Sequence, residues 1–322
     1  MSRERIATQE STSLDKMVAH YARVGSANRT AFQKLKVVLA RFHEQGIECI
    51  LLKGADLIPR LYGVMAARPM SDVDLLVHEA DLLTVDRTLT RLGYRPQIDG
   101  NPAYLDPDGV LLLDIVSKIW YLDDQGPIWR RAVTRTLDGV VVKGMGTNDL
   151  LLYLTAYAVV HRASLSAFFP QDVAALIKKE PVVWEFVVEE AFRCHLKIPI
   201  YHGLCFVATR YPGVPIPDHV LRSLAPSSLS ERLWYWFFHK FVTDKPIAEL
   251  GHLLLFLTQP GLKKWRWLKD VFLPSPAFLA YRYGDQGNTH PLMTRLFRPF
   301  YLMSQGLRLS LRILGLLLKR PT

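Results

Sequence analysis

LLKGADLIPRLYGVMAARPMSDVDLLV, residues Leu51 to Val77, is the stretch that decides the fold. It opens on the end of a short apolar run, Ile47–Leu52, and closes on a second, Val73–Val77. Runs of this length bounded by polar or glycine residues read as buried strands. Lys53-Gly54 reads as the turn that ends the first strand, and Ala55–Tyr62 as a short helix behind it. Asp72 and Asp74 carry the chemistry. Residues i and i+2 of a strand point to one face, so both carboxylates project together while Val73, Leu75 and Val77 face the core. Two ionised carboxylates side by side repel. A divalent cation between them removes the conflict. Hard oxygen donors favour Mg²⁺, which keeps several waters and takes further ligands from substrate phosphates.

An Asp-x-Asp pair alone often marks nothing more than a solvated strand end. Three neighbours sharpen it. Lys53-Gly54 offers a backbone that phosphate can approach closely. Arg68, four residues before Asp72, is a candidate bidentate grip for phosphate. Asp114 lies in the apolar run Gly109–Val116, where a carboxylate without a compensating partner is costly.

Outward from this stretch, helix-like and strand-like patterns alternate. Ala31–Glu44 has apolar residues at helical spacing and stops at Gly46. Glu79–Leu92 repeats the pattern and stops at Gly93. Gly109–Val116 is a third strand and Val140–Val142 a weaker fourth. From Thr147-Asn148-Asp149, whose short polar side chains suit a helix start, helical patterns take over. They run Leu150–His161, Gln171–Lys179, Val183–Cys194, Ile198–Arg210, Ser230–Thr243, Ile247–Leu257 and Leu262–Phe272, with prolines between them. The expected architecture is α+β. A mixed sheet with flanking helices occupies residues 29–146, after an N-terminal extension at 1–28. An all-helical domain follows at 147–288, and a basic amphipathic helix at 289–322.

The runs Leu52-Lys53-Gly54-Ala55, Arg68-Pro69-Met70-Ser71-Asp72-Val73-Asp74-Leu75-Leu76-Val77 and Leu92-Gly93-Tyr94 resemble the nucleotidyltransferase superfamily. The likeness is to an uncharacterised bacterial branch, distantly similar to kanamycin nucleotidyltransferase and DNA polymerase beta. Thr147-Asn148-Asp149-Leu150-Leu151, His161-Arg162, Asp172–Leu176 and, more loosely, Leu273-Pro274-Ser275-Pro276 extend it. The resemblance implies Mg²⁺-dependent transfer of an NMP group from an NTP, ATP foremost, to a hydroxyl on an unknown small molecule or protein. It implies two Mg²⁺ ions, with Mn²⁺ as a substitute, held by Asp72, Asp74 and Asp114. It implies that Lys53, Gly54, Ala55, Arg68 and Ser71 border the nucleotide, and that the helical domain selects the acceptor. Two positions depart from the pattern. Ala55 stands where a second glycine or a serine is usual, and Val116-Ser117 where relatives often carry His-Trp. A non-catalytic nucleotide-binding accessory protein is the alternative.

The chain has 322 residues and a formal charge of +10, with 49% hydrophobic and 22% charged residues. That composition excludes a disordered, collagen-like or disulfide-framework chain. Residues 261–322 hold eleven Lys and Arg against Asp270 and Asp285, or +9. The remaining 260 residues are therefore close to neutral. Residues 291–322 place Leu307, Leu311, Leu314 and Leu318 among arginines, a pattern suited either to an anionic membrane surface or to docking on the protein itself. Nucleic acid is disfavoured as a partner, because no recognition motif is present. Cys49, Cys194 and Cys205 sit among apolar neighbours and read as free buried thiols. With no apolar leader at the N-terminus and no uninterrupted spanning segment, the expected location is the cytoplasm, peripheral at the inner membrane face if the tail binds lipid. His161 reads as structural, His195 and His202 have no carboxylate or thiolate at metal-ligand spacing, and Gly144-Met145-Gly146 reads as a turn. The tryptophan-rich segments around Trp234 and Trp265 read as helix packing.

Overall fold

The computed structural model of the protein describes residues 2–97, 102–137, 139–166, 168–247, 249–258, 264, 265, 269, 272 and 291–318. The chain divides into two compact units, Met1–Gly146 and Thr147–Thr322.

The first unit is built on a seven-stranded mixed sheet. Its strands are β1 (Cys49–Leu51), β2 (Val73–Val77), β3 (Arg95–Gln97), β4 (Ala103–Leu105), β5 (Leu112–Val116), β6 (Val133–Leu137) and β7 (Val140–Gly144), in the order β3-β4-β5-β2-β1-β7-β6. The pairs β2–β5 and β1–β7 are parallel and the others antiparallel. The central strands β1, β2 and β5 are those with apolar runs, as expected of strands covered by helices.

One face of the sheet is closed by α1 (Ser2–Glu44) and α3 (Leu82–Arg91). Phe32, Leu35, Leu39 and Phe42 of α1 and Val85 and Leu89 of α3 pack with Val73, Leu75 and Val77, the core-facing alternation expected of β2. Helix α1 runs without a break through position 28, where the sequence suggested a boundary between an extension and the domain. Its apolar spacing continues toward the N-terminus as Leu14, Met17, Val18 and Tyr21, all exposed. The short helix α2 (Lys53–Leu57) continues into a π-helical turn, Ile58–Tyr62, and α4 (Gly126–Arg131) precedes β6.

The second unit is helical: α5 (Thr147–Ala156), extended by a π-helical turn at Tyr157–His161, then α6 (Phe168–Lys179), α7 (Trp184–Arg193), α8 (Lys197–Arg210), α9 (Asp218–Leu224), α10 (Leu229–Phe241), α11 (Leu250–Thr258) and α12 (Pro291–Leu318). Thr147 Oγ1 donates to Glu180 Oε2 at 2.6 Å, and Asn148 Oδ1 accepts from Val183 N at 2.9 Å, so the helix start is tied to the α6–α7 connection. Ser228 and Glu231 form a reciprocal capping box at the start of α10. Trp234 packs against Phe237 and Phe238, one turn further along the same helix. Trp265, by contrast, is exposed. His202 is buried, and its Nε2 lies 2.9 Å from Val242 O. His161 stacks on Tyr157 with ring centres 4.8 Å apart. The expected helix at Leu262–Phe272 and the segment Leu273–Pro276 lie largely outside the described residues.

Candidate functional site

The sheet brings the predicted carboxylates together. β2 and β5 are parallel neighbours in a register that sets Asp74 directly beside Asp114. Asp72 immediately precedes β2 and falls on the same side as Asp74. Ligand atoms of Asp72, Asp74 and Asp114 all lie within 4.8 Å of one another. Strand alternation puts this cluster on the face opposite Val73, Leu75 and Val77.

The turn after β1 approaches the cluster from the next strand. Leu52 N donates to Asp74 O at 3.0 Å, which fixes the end of β1 against β2. Lys53 then takes a left-handed backbone conformation, φ +47°, which costs a non-glycine residue about 1–2 kcal/mol. This reversal sends the backbone into α2 and leaves the Lys53 side chain beside Asp74, with Nζ 2.5 Å from Oδ1. Both side chains are largely shielded from water.

Gly54 is needed for a close approach. A Cβ there would stand 2.6 Å from Arg68 Nη1 and 3.1 Å from Met70 Cγ. The Arg68 guanidinium therefore lies directly on the Gly54 backbone. The Arg68 segment is held from α1 by Asn28, which is buried and donates through Nδ2 to Met65 O at 2.6 Å and Arg68 O at 2.8 Å. Asn28 has no local sequence signal, since its partners lie 37 and 40 residues away.

Ser71 and Ala55 have further roles in the local structure. Ser71 Oγ donates to Asp72 Oδ1 at 2.7 Å and so orients a carboxylate. The Ala55 side chain is enclosed in the hydrophobic core, leaving only its backbone available to a ligand.

A second ionic group supports the turn from behind. Asp56 and Arg60 are 2% and 1% exposed and meet at 2.8 Å, Oδ2 to Nη1. Arg60 Nη1 also donates to Met145 O at 2.8 Å, and Arg135 Nε lies 3.7 Å from Asp56 Oδ1. A Cβ on Gly144 would stand 2.5 Å from Asp56 Oδ1, so β7 passes against this carboxylate. The i,i+4 spacing of Asp56 and Arg60 was a readable pairing signal. Their burial was not readable.

Electrostatics decide what the cluster can hold. Burial holds the Asp74 carboxyl above the usual aspartate range; the Lys53 and Arg68 charges counter it, and the Asp72 charge adds to the rise. Even with these two cations beside it, the charged form of Asp74 is less favoured than that of an exposed aspartate. A divalent cation among the three carboxylates would offset both the burial and the mutual repulsion. An all-oxygen, all-carboxylate donor set suits Mg²⁺ or Mn²⁺ and does not suit a soft metal. The three cysteines are free and half-buried, and burial raises the thiol pKa to about 12 at Cys49 and about 11 at Cys194, so neither is poised as a thiolate.

A family profile described as uncharacterised nucleotidyltransferase matches residues 5–212, more than half of the chain. Among solved structures, an antigenic nucleotidyltransferase-like protein from Paracoccidioides brasiliensis is 16% identical. That match covers 60% of this chain and 92% of the other, with a TM-score of 0.41. ANT(2″)-Ia, solved in complex with adenylyl-2″-tobramycin, is 15% identical over 56% of this chain and 99% of that one, with a TM-score of 0.38. A solution structure of ANT(2″)-Ia gives 14% identity and a TM-score of 0.32 over 75% of this chain and 96% of that one. No curated protein matches the chain.

Proposed function

The chain belongs to the uncharacterised nucleotidyltransferase family, and from that premise we propose that it transfers an NMP group from an NTP, ATP foremost, to a hydroxyl on a small-molecule or protein acceptor. The observation that carries this reading is the convergence of Asp72, Asp74 and Asp114 beside the Lys53-Gly54 turn.

In this reading the three carboxylates hold Mg²⁺, as one ion or two. When bound, the metal supplies charge neutralisation at the phosphate oxygens and acidifies a coordinated hydroxyl. The chain's own residues do the rest. Lys53, now against Asp74, turns its ammonium to the triphosphate. Arg68, laid over Gly54, grips phosphate oxygens from the other side. Asp114 takes the proton of the attacking hydroxyl. The acceptor oxygen forms a bond to the α-phosphorus, the bond from that phosphorus to the bridging oxygen breaks, and pyrophosphate leaves. Ser71 and Asn28 act indirectly, by holding Asp72 and the Arg68 segment. Catalysis of this kind is mostly positioning and charge stabilisation.

The reading is tested with NTP labelled at either the α or the γ phosphate, incubated with Mg²⁺ and a fractionated extract as the acceptor source. It predicts α label on the acceptor and γ label in pyrophosphate. Label from the γ position on the acceptor would replace it with phosphoryl transfer.

A further inference from the structure

Helix α12 has two apolar faces. Leu309 is buried, with Leu302, Gln305 and Ile313 half-buried beside it, so this face is covered within the protein. On the opposite face Phe300, Met303, Leu307, Leu311 and Leu314 follow one another at three- and four-residue steps. They are open to solvent, from 51% exposed at Leu314 to 69% at Phe300. A continuous exposed stripe of this kind marks an interaction surface more often than an idle one.

The charge beside the stripe identifies what it meets. Arg308 and Arg312, one helical turn apart, are exposed along the same border of the stripe. Between Pro291 and Leu318 the sequence has four arginines and no acidic residue. Among the described residues no helix is long and apolar enough to cross a membrane. A helix that cannot span, with an apolar stripe and a cationic border, matches the physical requirements of a helix lying in the headgroup region of an anionic bilayer. A second copy of this chain is the poorer occupant. Pairing two such stripes antiparallel about a two-fold axis would bring Arg308 and Arg312 of each copy toward the same seam with no carboxylate on α12 to neutralise them.

We propose that α12 docks the protein on the surface of an anionic membrane through Phe300, Met303, Leu307, Leu311 and Leu314, with Arg308 and Arg312 on the lipid phosphates. This goes beyond the nucleotidyl-transfer reading and does not depend on it.

Cosedimentation of the full-length protein with vesicles tests the proposal. Vesicles of phosphatidylcholine with phosphatidylglycerol should bind the protein at low salt, and phosphatidylcholine alone should bind it much less. Arg308→Ala/Arg312→Ala should lower the partition coefficient on anionic vesicles by about fivefold per arginine. Leu307→Ser/Leu311→Ser should weaken binding at low and high salt alike. All four positions are exposed, and unchanged circular dichroism verifies that each variant is folded. Failure of the wild-type protein to sediment with anionic vesicles, or equal partitioning of both variants and wild type, overturns the proposal. So does a concentration-dependent dimer in sedimentation equilibrium that is abolished by Leu307→Ser/Leu311→Ser, which would assign the stripe to a second copy.

Discussion

Asp74 on β2 and Asp114 on β5 stand side by side on neighbouring parallel strands, with Asp72 completing a cluster whose ligand atoms lie within 4.8 Å of one another. Three carboxylates so close, with Asp74 buried, favour folding most when a divalent cation is bound. Mg²⁺ should therefore raise the thermal midpoint of the wild-type protein. At a hundred times its dissociation constant the gain is about 2.7 kcal/mol. Asp114→Asn, which removes one charge without changing shape, should lose most of that gain while its metal-free midpoint stays level or rises. Scanning fluorimetry across an Mg²⁺ series checks both. An equal Mg²⁺ shift in wild type and variant would mean that the metal binds elsewhere.

Lys53 is the ammonium nearest Asp74. Lys53→Met leaves a buried carboxylate with less compensation, and losing one partner of a buried pair costs about 3–5 kcal/mol. The sign of the pH effect follows from Asp74. Its pKa in the folded protein is raised, so its contribution to stability is present at acid pH and is lost as pH rises through that value. Removing Lys53 raises the pKa further. In metal-free buffer Lys53→Met should be destabilised at neutral pH and should recover part of the loss on mild acidification. Urea titrations at a series of pH values read this directly.

Two glycines separate function from stability. Gly54→Ala pushes on the Arg68 guanidinium, the far end of a flexible side chain. It should cost under about 1 kcal/mol of stability but weaken NTP binding about tenfold through the displaced arginine. Gly144→Ala pushes on Asp56, which is pinned by Arg60, and should cost about 2–3 kcal/mol. Denaturant midpoints and nucleotide titrations on both variants provide the comparison.

In the helical unit Glu231 caps α10 and accepts from Lys197, and these hydrogen bonds hold its pKa down to about 2 from 4.5. A depressed folded pKa gives stability that is present above the unfolded value and lost as pH falls toward about 2. Glu231→Gln should lower stability at neutral pH by about 1 kcal/mol and flatten the acid limb of the stability curve below pH 4.5. Guanidinium unfolding at neutral and acid pH tests it.

The central strands were legible because burial leaves short, mostly apolar runs there: β2 is buried throughout, and in β1 and β5 buried apolar residues are flanked by partly buried ones. β3, β4 and β6 were not. Arg95–Gln97 and Ala103–Leu105 have three residues each, too short for a period, and exist because their hairpin partners hold them. β6 is largely exposed and carries no apolar run. At the site, the two-residue spacing revealed the Asp72–Asp74 pair, whereas the Asp74–Asp114 register depends on strand order, a tertiary property. Ser71 read as a nucleotide contact, and its hydrogen bond to Asp72 was not readable. Asn28 could not be read at all, because its two carbonyl partners are brought to it only by folding. The position of the first helix end was equally hidden, since the apolar spacing of α1 continues through Leu14–Tyr21 without burial to mark where the core begins.

Whether the carboxylate cluster is a metal-dependent nucleotide site is decided by calorimetric binding of a non-hydrolysable NTP analogue in Mg²⁺ or in EDTA, for the wild-type protein and Asp72→Ala/Asp74→Ala. Wild type should bind in Mg²⁺ and lose binding in EDTA, and affinity should fall by about a hundredfold or more in the double variant, whose metal and phosphate contacts are gone together. Unchanged Mg²⁺-dependent binding in the double variant would contradict that assignment of the cluster.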